Sequence, residues 1–166
     1  MTSKAAVAAV EKVERLKARP KRISSRISSQ LHNYREVNKQ IVKANPAELI
    51  LMIRSGLDAR MLAGGSEFYN IPSQAFSRIV GVPVATANRK MHANVKLGVA
   101  ESERLTRIAL VEAEAEEVFG SEAVAKQWLL AKNHALGDSP LELMDTEIGA
   151  NEVKKVLASI AYGGAV

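Results

Sequence analysis

The chain reads as an all-α protein, on three observations. Aromatic residues make up 4% of its 166 positions while hydrophobic residues make up 47%, so the core has to be built from Ala, Leu, Ile and Val, which favours helices. Apolar positions recur at three- and four-residue spacing over most of the sequence, the period of a one-sided helix. Helix starts and stops are also written locally: Pro46 and Ser139-Pro140 suit first turns, and Gly120 suits a C-terminal cap.

Taken in order, Ala6, Val10, Val13 and Leu16 share a helical face until Pro20 interrupts it. Between Lys12 and Arg26 stand seven basic residues and one acid, Glu14, either a solvated leader or an arm able to follow DNA phosphates. Ile27, Leu31, Tyr34 and Ile41 continue a helical stripe as far as Asn45-Pro46. Pro46 to Arg54 predicts the next helix, closed near Gly56, and Asp58 to Leu62 a short one stopped by Gly64-Gly65.

Residues Ile71 to Met91 read as helix, tight turn, helix. Phe76, Ile79 and Val80 form the inner face of the first helix, and small Ser77 allows close approach of a neighbour. Gly81 supplies the permissive turn, Val82 plugs the core behind it, and Pro83 stands at the start of the second helix. That second helix, about Val84 to His92, is expected to present Ala85, Thr86, Asn88, Arg89 and Lys90 outward. Asn pairs with adenine, Arg with guanine, and Thr with phosphate or a thymine methyl, so these are candidate DNA-binding residues. A plain helical hairpin is the alternative.

Glu101 to Phe119 predicts one long amphipathic helix carrying Leu105, Ile108, Ala109 and Ala115 on its apolar side. The acids Glu112, Glu114, Glu116 and Glu117 read as a solvated face, with no His or Asp at a spacing that suits a metal. Trp128, the only tryptophan, anchors the segment after Gly120, and Lys132 to Asp138 is a loop. Ser139 with Glu142 opens a short helix, and Thr146 caps a last one in which Val153, Val156, Leu157 and Ile160 share a face. The chain closes on Tyr162-Gly163-Gly164-Ala165-Val166, either a frayed end or a slim uncharged tail able to enter a partner's cleft.

Charge is divided along the chain. Residues 1–100 carry 17 Lys+Arg against 6 Asp+Glu, and residues 101–166 carry 6 against 12. A basic front and an acidic back suggest two partners, the first of them anionic. Without cysteine there is neither a disulfide nor a thiol nucleophile. No run approaches the ~18 apolar residues of a membrane span, and the N-terminus lacks a sustained apolar region, so a cytoplasmic location is expected. His32, His92 and His134 are scattered, and no Gly-x-Ser-x-Gly elbow or phosphate-cradling glycine loop occurs. No catalytic residue, metal site or cofactor is therefore expected, and the chain reads as a non-enzyme.

The last third is dense in ordered matches: Glu117-Val118-Phe119-Gly120, Ala125, Trp128-Leu129, Asn133, Ala135-Leu136-Gly137, Pro140-Leu141-Glu142-Leu143, Asp145-Thr146-Glu147, Gly149, Val153, Leu157, Ile160 and Tyr162-Gly163. In this order they resemble the toxin-binding domain of the Xre/MbcA/ParS antitoxins, the partners of RES-domain toxins. A weaker resemblance reaches back to about Asn45, where Val80-Gly81-Val82 and Thr86-Ala87-Asn88-Arg89-Lys90 are similar to the family's helix-turn-helix pattern. Ala87 departs from it, standing where a larger aliphatic residue is usual at an inward position. A looser recognition helix is the expected consequence.

Charge and periodicity give a basic helical extension over residues 1–44, on which the resemblance says little; the resemblance implies an Xre-like helix-turn-helix module over 45–110 and a small helical toxin-binding domain over 111–166. It implies an antitoxin of a type II toxin–antitoxin system that neutralises a NAD-consuming RES-domain toxin by occluding its active site. Toxin contacts would come from Trp128, Leu136, Tyr162, Gly163, Gly164, Ala165 and Val166. Repression of its own operon would follow from operator binding, with a homodimer placing two recognition helices on a palindrome. A free-standing helix-turn-helix regulator, and a pure protein inhibitor whose DNA surface has decayed, stay open as alternatives.

Overall fold

A computed structural model describes residues 29–163, which form helices joined by short loops with no strand among them. The expected arm over 12–26, the stripe over 6–16 and the tail residues 164–166 lie outside the described residues. The helices are α1 (described over 29–43), α2 (Pro46–Ser55), α3 (Met61–Tyr69), α4 (Ser73–Val80) and α5 (Val84–Ala93), followed by α6 (Val99–Phe119), α7 (Glu122–Leu130), α8 (Pro140–Leu143) and α9 (Glu147–Ala161).

The capped starts stand where the sequence places them. Asn45 accepts from the Glu48 N–H while Glu48 reaches back to the Asn45 N–H, a complete capping box before Pro46. Ser139 accepts from the Glu142 N–H and Thr146 from the Gly149 N–H, opening α8 and α9. Gly120 closes α6 in the left-handed region at φ 68°.

Two expectations fail on packing. Gly64-Gly65 do not stop a helix; α3 runs through both to Tyr69. They are glycine because neighbours press on them: a Cβ on Gly64 would lie 2.6 Å from the Gln30 carbonyl oxygen and 2.6 Å from the Tyr34 Cβ, and one on Gly65 would lie 2.2 Å from the Phe76 ring. Nor is the core purely aliphatic. Four of the chain's seven aromatics, Tyr34, Phe68, Tyr69 and Phe76, meet at its centre, with centroids 5.4 Å apart for Tyr34–Phe68 and 5.8 Å for Tyr69–Phe76. Low aromatic content here means concentration, not absence.

Helix α6 is the spine. It buries Ser102, Leu105, Thr106, Ile108, Ala109, Val111 and Ala115, and α2, α4, α7 and α9 all pack on it. The expected boundary at 110/111 falls within this helix. Its Ser102 hydroxyl accepts from the Leu57 N–H at 2.9 Å, and Leu97 donates its N–H to the Leu57 carbonyl at 2.8 Å. Those bonds tie the loop after α2 to the loop entering α6.

Candidate functional site

The turn between α4 and α5 is built as the sequence proposes. Gly81 adopts φ 81°, its N–H and that of Val82 return to the carbonyls of Arg78 and Ser77, and α4 thereby ends in a glycine cap. Val82 is buried behind the turn, and Pro83 precedes α5 in extended geometry. No larger residue fits at Gly81 without displacement, because a Cβ there would stand 2.5 Å from an Arg104 guanidinium nitrogen.

On α5 the side chains separate by direction. Ala85, Asn88 and Arg89 are exposed, whereas Thr86 and Lys90 are half-buried. Lys90 turns toward Glu101 at the start of α6, with 3.9 Å between Nζ and Oε1. Ala87 is the one residue of α5 that is buried, in the inward position expected of it. Beside the turn lies an open groove of about 670 Å³ lined by Pro72, Gln74, Ala75, Arg78, Pro83 and Val84.

Arginines that the sequence did not single out brace this module against the C-terminal one. Arg104 donates from Nε to the Asp145 carbonyl at 3.1 Å and from Nη1 to the Val80 carbonyl at 3.4 Å. Arg107 donates to the Met144 carbonyl at 3.3 Å, and Arg78 pairs with Glu142 at 2.9 Å. Backbone carbonyls at the ends of α4 and α8 are thus satisfied by cations from α6. Nothing in single-sequence periodicity marks such long-range cap partners.

The C-terminal module is held by short local devices. Trp128 is half-buried against Phe119, with ring centroids 5.5 Å apart. The loop after α7 folds on Asn133, whose Oδ1 accepts from the N–H groups of Ala135 and Leu136, and half-buried Leu136 packs on the core. Gly149 is required by contact, since a Cβ there would stand 2.0 Å from the Leu143 carbonyl oxygen. Beyond α9, Tyr162 is 92% exposed and Gly163 takes φ 74°. Ile148 at the start of α9 is a further apolar side chain left 78% exposed.

One acid belongs to no solvated face. Glu112 points inward, its Oε2 accepting from Tyr34 at 3.0 Å and Tyr69 at 2.8 Å, and its Oε1 from Asn38 Nδ2 at 3.3 Å. Burial pushes its carboxyl up to about 7, outweighing the three hydrogen bonds that favour the ion. Burial and the adjacent carboxylate likewise hold both tyrosines well above their usual 10. The signal was present in the sequence: Glu112 lies four residues after Ile108 and three before Ala115, on the buried face of α6. Among the described residues no group of three His, Asp or Glu side chains is placed to hold a metal ion, and no helix is long and apolar enough to cross a membrane.

Comparison with known proteins places both modules. Residues 48–110 match the family described as the antitoxin Xre-like helix-turn-helix domain, and residues 114–163 match the antitoxin Xre/MbcA/ParS C-terminal toxin-binding domain. Antitoxin Xre of Pseudomonas putida is 36% identical over 83 residues, covering 49% of this chain and 52% of that protein, so the chain spans about half of that relative's length. A protein named Prs ADP-ribosylating antitoxin, from Sphingobium sp., is 26% identical over 75% of this chain and 85% of its own. Antitoxin Xre of Yersinia enterocolitica is 27% identical over 69% of this chain and 79% of its own. With a glycine-capped helix-turn-helix and a toxin-binding module joined in that order, the chain belongs to the Xre/MbcA/ParS antitoxin family.

Proposed function

We propose that this protein is the antitoxin of a type II toxin–antitoxin pair, binding a RES-domain toxin through its C-terminal module and operator DNA through α5. The observation that carries this reading is the succession of the two family domains over 48–110 and 114–163. The toxin is proposed to consume NAD, and the antitoxin to act by covering its active site. The name of the Sphingobium relative, which couples an antitoxin to ADP-ribosylation, supports a partner working with such chemistry. Tyr162, projecting almost fully into solvent past the end of α9, is where a plug would begin. Trp128 and Leu136 would contribute through their exposed edges, and Gly163 to Val166 would extend into the cleft.

Co-expression with the adjacent open reading frame tests the pair. The full chain is expected to restore growth and cellular NAD, and a chain lacking Gly163–Val166 to lose that rescue with unchanged thermal stability. Rescue by the shortened chain would remove the plug and leave the antitoxin reading in place.

Repression is proposed to run through Asn88 and Arg89, which α5 leaves exposed. Arg89→Ala is expected to weaken operator binding about 10- to 100-fold at fixed salt, as loss of a base or phosphate contact does. Fluorescence anisotropy on the protein's own promoter, repeated across salt concentrations, separates this from bulk attraction. The Lys90–Glu101 pair and the small Ala87 favour a second reading, an inhibitor whose DNA surface has decayed. Equal affinity for promoter and scrambled DNA at every salt concentration would select it.

A further inference from the structure

Helix α2 has an apolar run, Leu49-Ile50-Leu51-Met52-Ile53, yet none of its residues is buried. Leu51 is 66% and Ile50 48% exposed, and Val42 at the end of α1 adds a further 46%. A groove of about 500 Å³ lies alongside, lined by Gln40, Lys43, Ala44, Glu48, Leu51 and Met52. Leu49 and Met52 lean on the core, which leaves the opposite side of the helix without a partner among the described residues.

The pattern of that side selects its occupant. Helical spacing puts positions 47, 48, 51, 54 and 55 on one stripe, and all five residues, Ala47, Glu48, Leu51, Arg54 and Ser55, are exposed. The stripe is symmetric about Leu51. Glu48 lies three residues before it and Arg54 three after; the small residues Ala47 and Ser55 lie four before and four after. Two such helices packed antiparallel across a two-fold axis would place leucine on leucine, acid opposite base and small opposite small. An unrelated partner has no reason to require this arrangement, whereas a second copy satisfies it automatically.

We propose that α2 is the isologous interface of a homodimer, packed antiparallel against the partner's α2 about an axis passing beside Leu51. Each Glu48 then faces the partner's Arg54, an exchange made twice. Glu48 uses Oε2 to accept the Asn45 N–H at 2.8 Å, which leaves Oε1 for the guanidinium. Arg54 has no ion pair within the described residues. Leu51 of each copy enters the groove beside the partner's Met52, and Val42 and Ile50 widen the apolar centre. This interface deepens the reading of paired recognition helices, but it is a property of the antitoxin alone.

Sedimentation of the full-length protein without toxin or DNA tests it. Wild type is expected at twice the 18.0 kDa chain mass. Leu51→Glu is expected to raise the dimer dissociation constant about 100-fold or more, with unchanged helical circular dichroism. Glu48→Arg and Arg54→Glu should each weaken the dimer, and the double exchange should restore it, a rescue that simple loss of the capping box cannot give. A monomeric wild type would overturn the proposal, pointing to coverage of α2 by residues 1–28 or by another protein. A dimer indifferent to Leu51→Glu would overturn it by placing the contact elsewhere. Failure to neutralise a toxin, with the dimer intact, would reject the functional reading and leave this one standing.

Discussion

Gly64→Val is expected to lower the midpoint of thermal unfolding by about 6–12 °C, the effect of losing about 3 kcal/mol in a chain of this size. The Cβ alone would stand 2.6 Å from both the Gln30 carbonyl oxygen and the Tyr34 Cβ, and both belong to α1. A backbone oxygen cannot rotate away, so α1 has to lift from α3. That movement also pulls Tyr34 and Asn38 off Glu112. Gly64→Ala discriminates by sign. In an exposed helix interior alanine would stabilise by about 1 kcal/mol, whereas here overpacking should reverse the effect. A raised midpoint by circular dichroism for Gly64→Ala would mean that the two helices are not in contact.

The second large effect is a dependence on pH. The Glu112 carboxyl stands at about 7 in the folded chain against 4.5 as its ordinary value. Between these values the folded state holds a proton that the unfolded state has released, so stability declines as pH rises. The contribution is complete below about 4.5 and gone above about 7, and its full size is about 3 kcal/mol. Glu112→Gln keeps the shape of the neutral acid and still offers an oxygen to a tyrosine. It should flatten this part of the profile and make the variant the more stable protein at pH 8. Urea unfolding at half-unit steps from pH 4.5 to 8 measures both slopes; parallel profiles would show that the acid ionises freely in the fold. Tyr34 and Tyr69 do not disturb the window, since burial holds their hydroxyls protonated throughout it.

Most helix boundaries were legible because they are chemically local. Asn45-Pro46, Ser139-Pro140, Thr146 and Gly120 each cap a helix with atoms only a few residues away. The turn at Gly81 was legible for the same reason. Gly64-Gly65 were misread because a glycine that stops a helix and one that admits a neighbour look identical until the neighbour is placed. The direction of Lys90 was hidden likewise, as its partner Glu101 lies on the next helix. Glu112 differs: its position on the buried face could be counted, but its tyrosine donors come from α1 and α3, 78 and 43 residues away. Only the combination makes an inward carboxylate tolerable.

The uninterrupted helix from Val99 to Phe119 has a practical consequence for chimeras between relatives. Its 21 residues make a rod about 31 Å long, and exchanging halves at 110/111 would splice two sequences in the middle of it, mixing side chains that were matched to different surroundings. A graft placed just after Gly120, where the backbone leaves the rod at positive φ, spares the splice. The incoming half must still supply the loop carbonyls that Arg104 and Arg107 grasp. Specificity for nucleic acid and for a protein target would then be exchangeable only along a seam set by these two arginines.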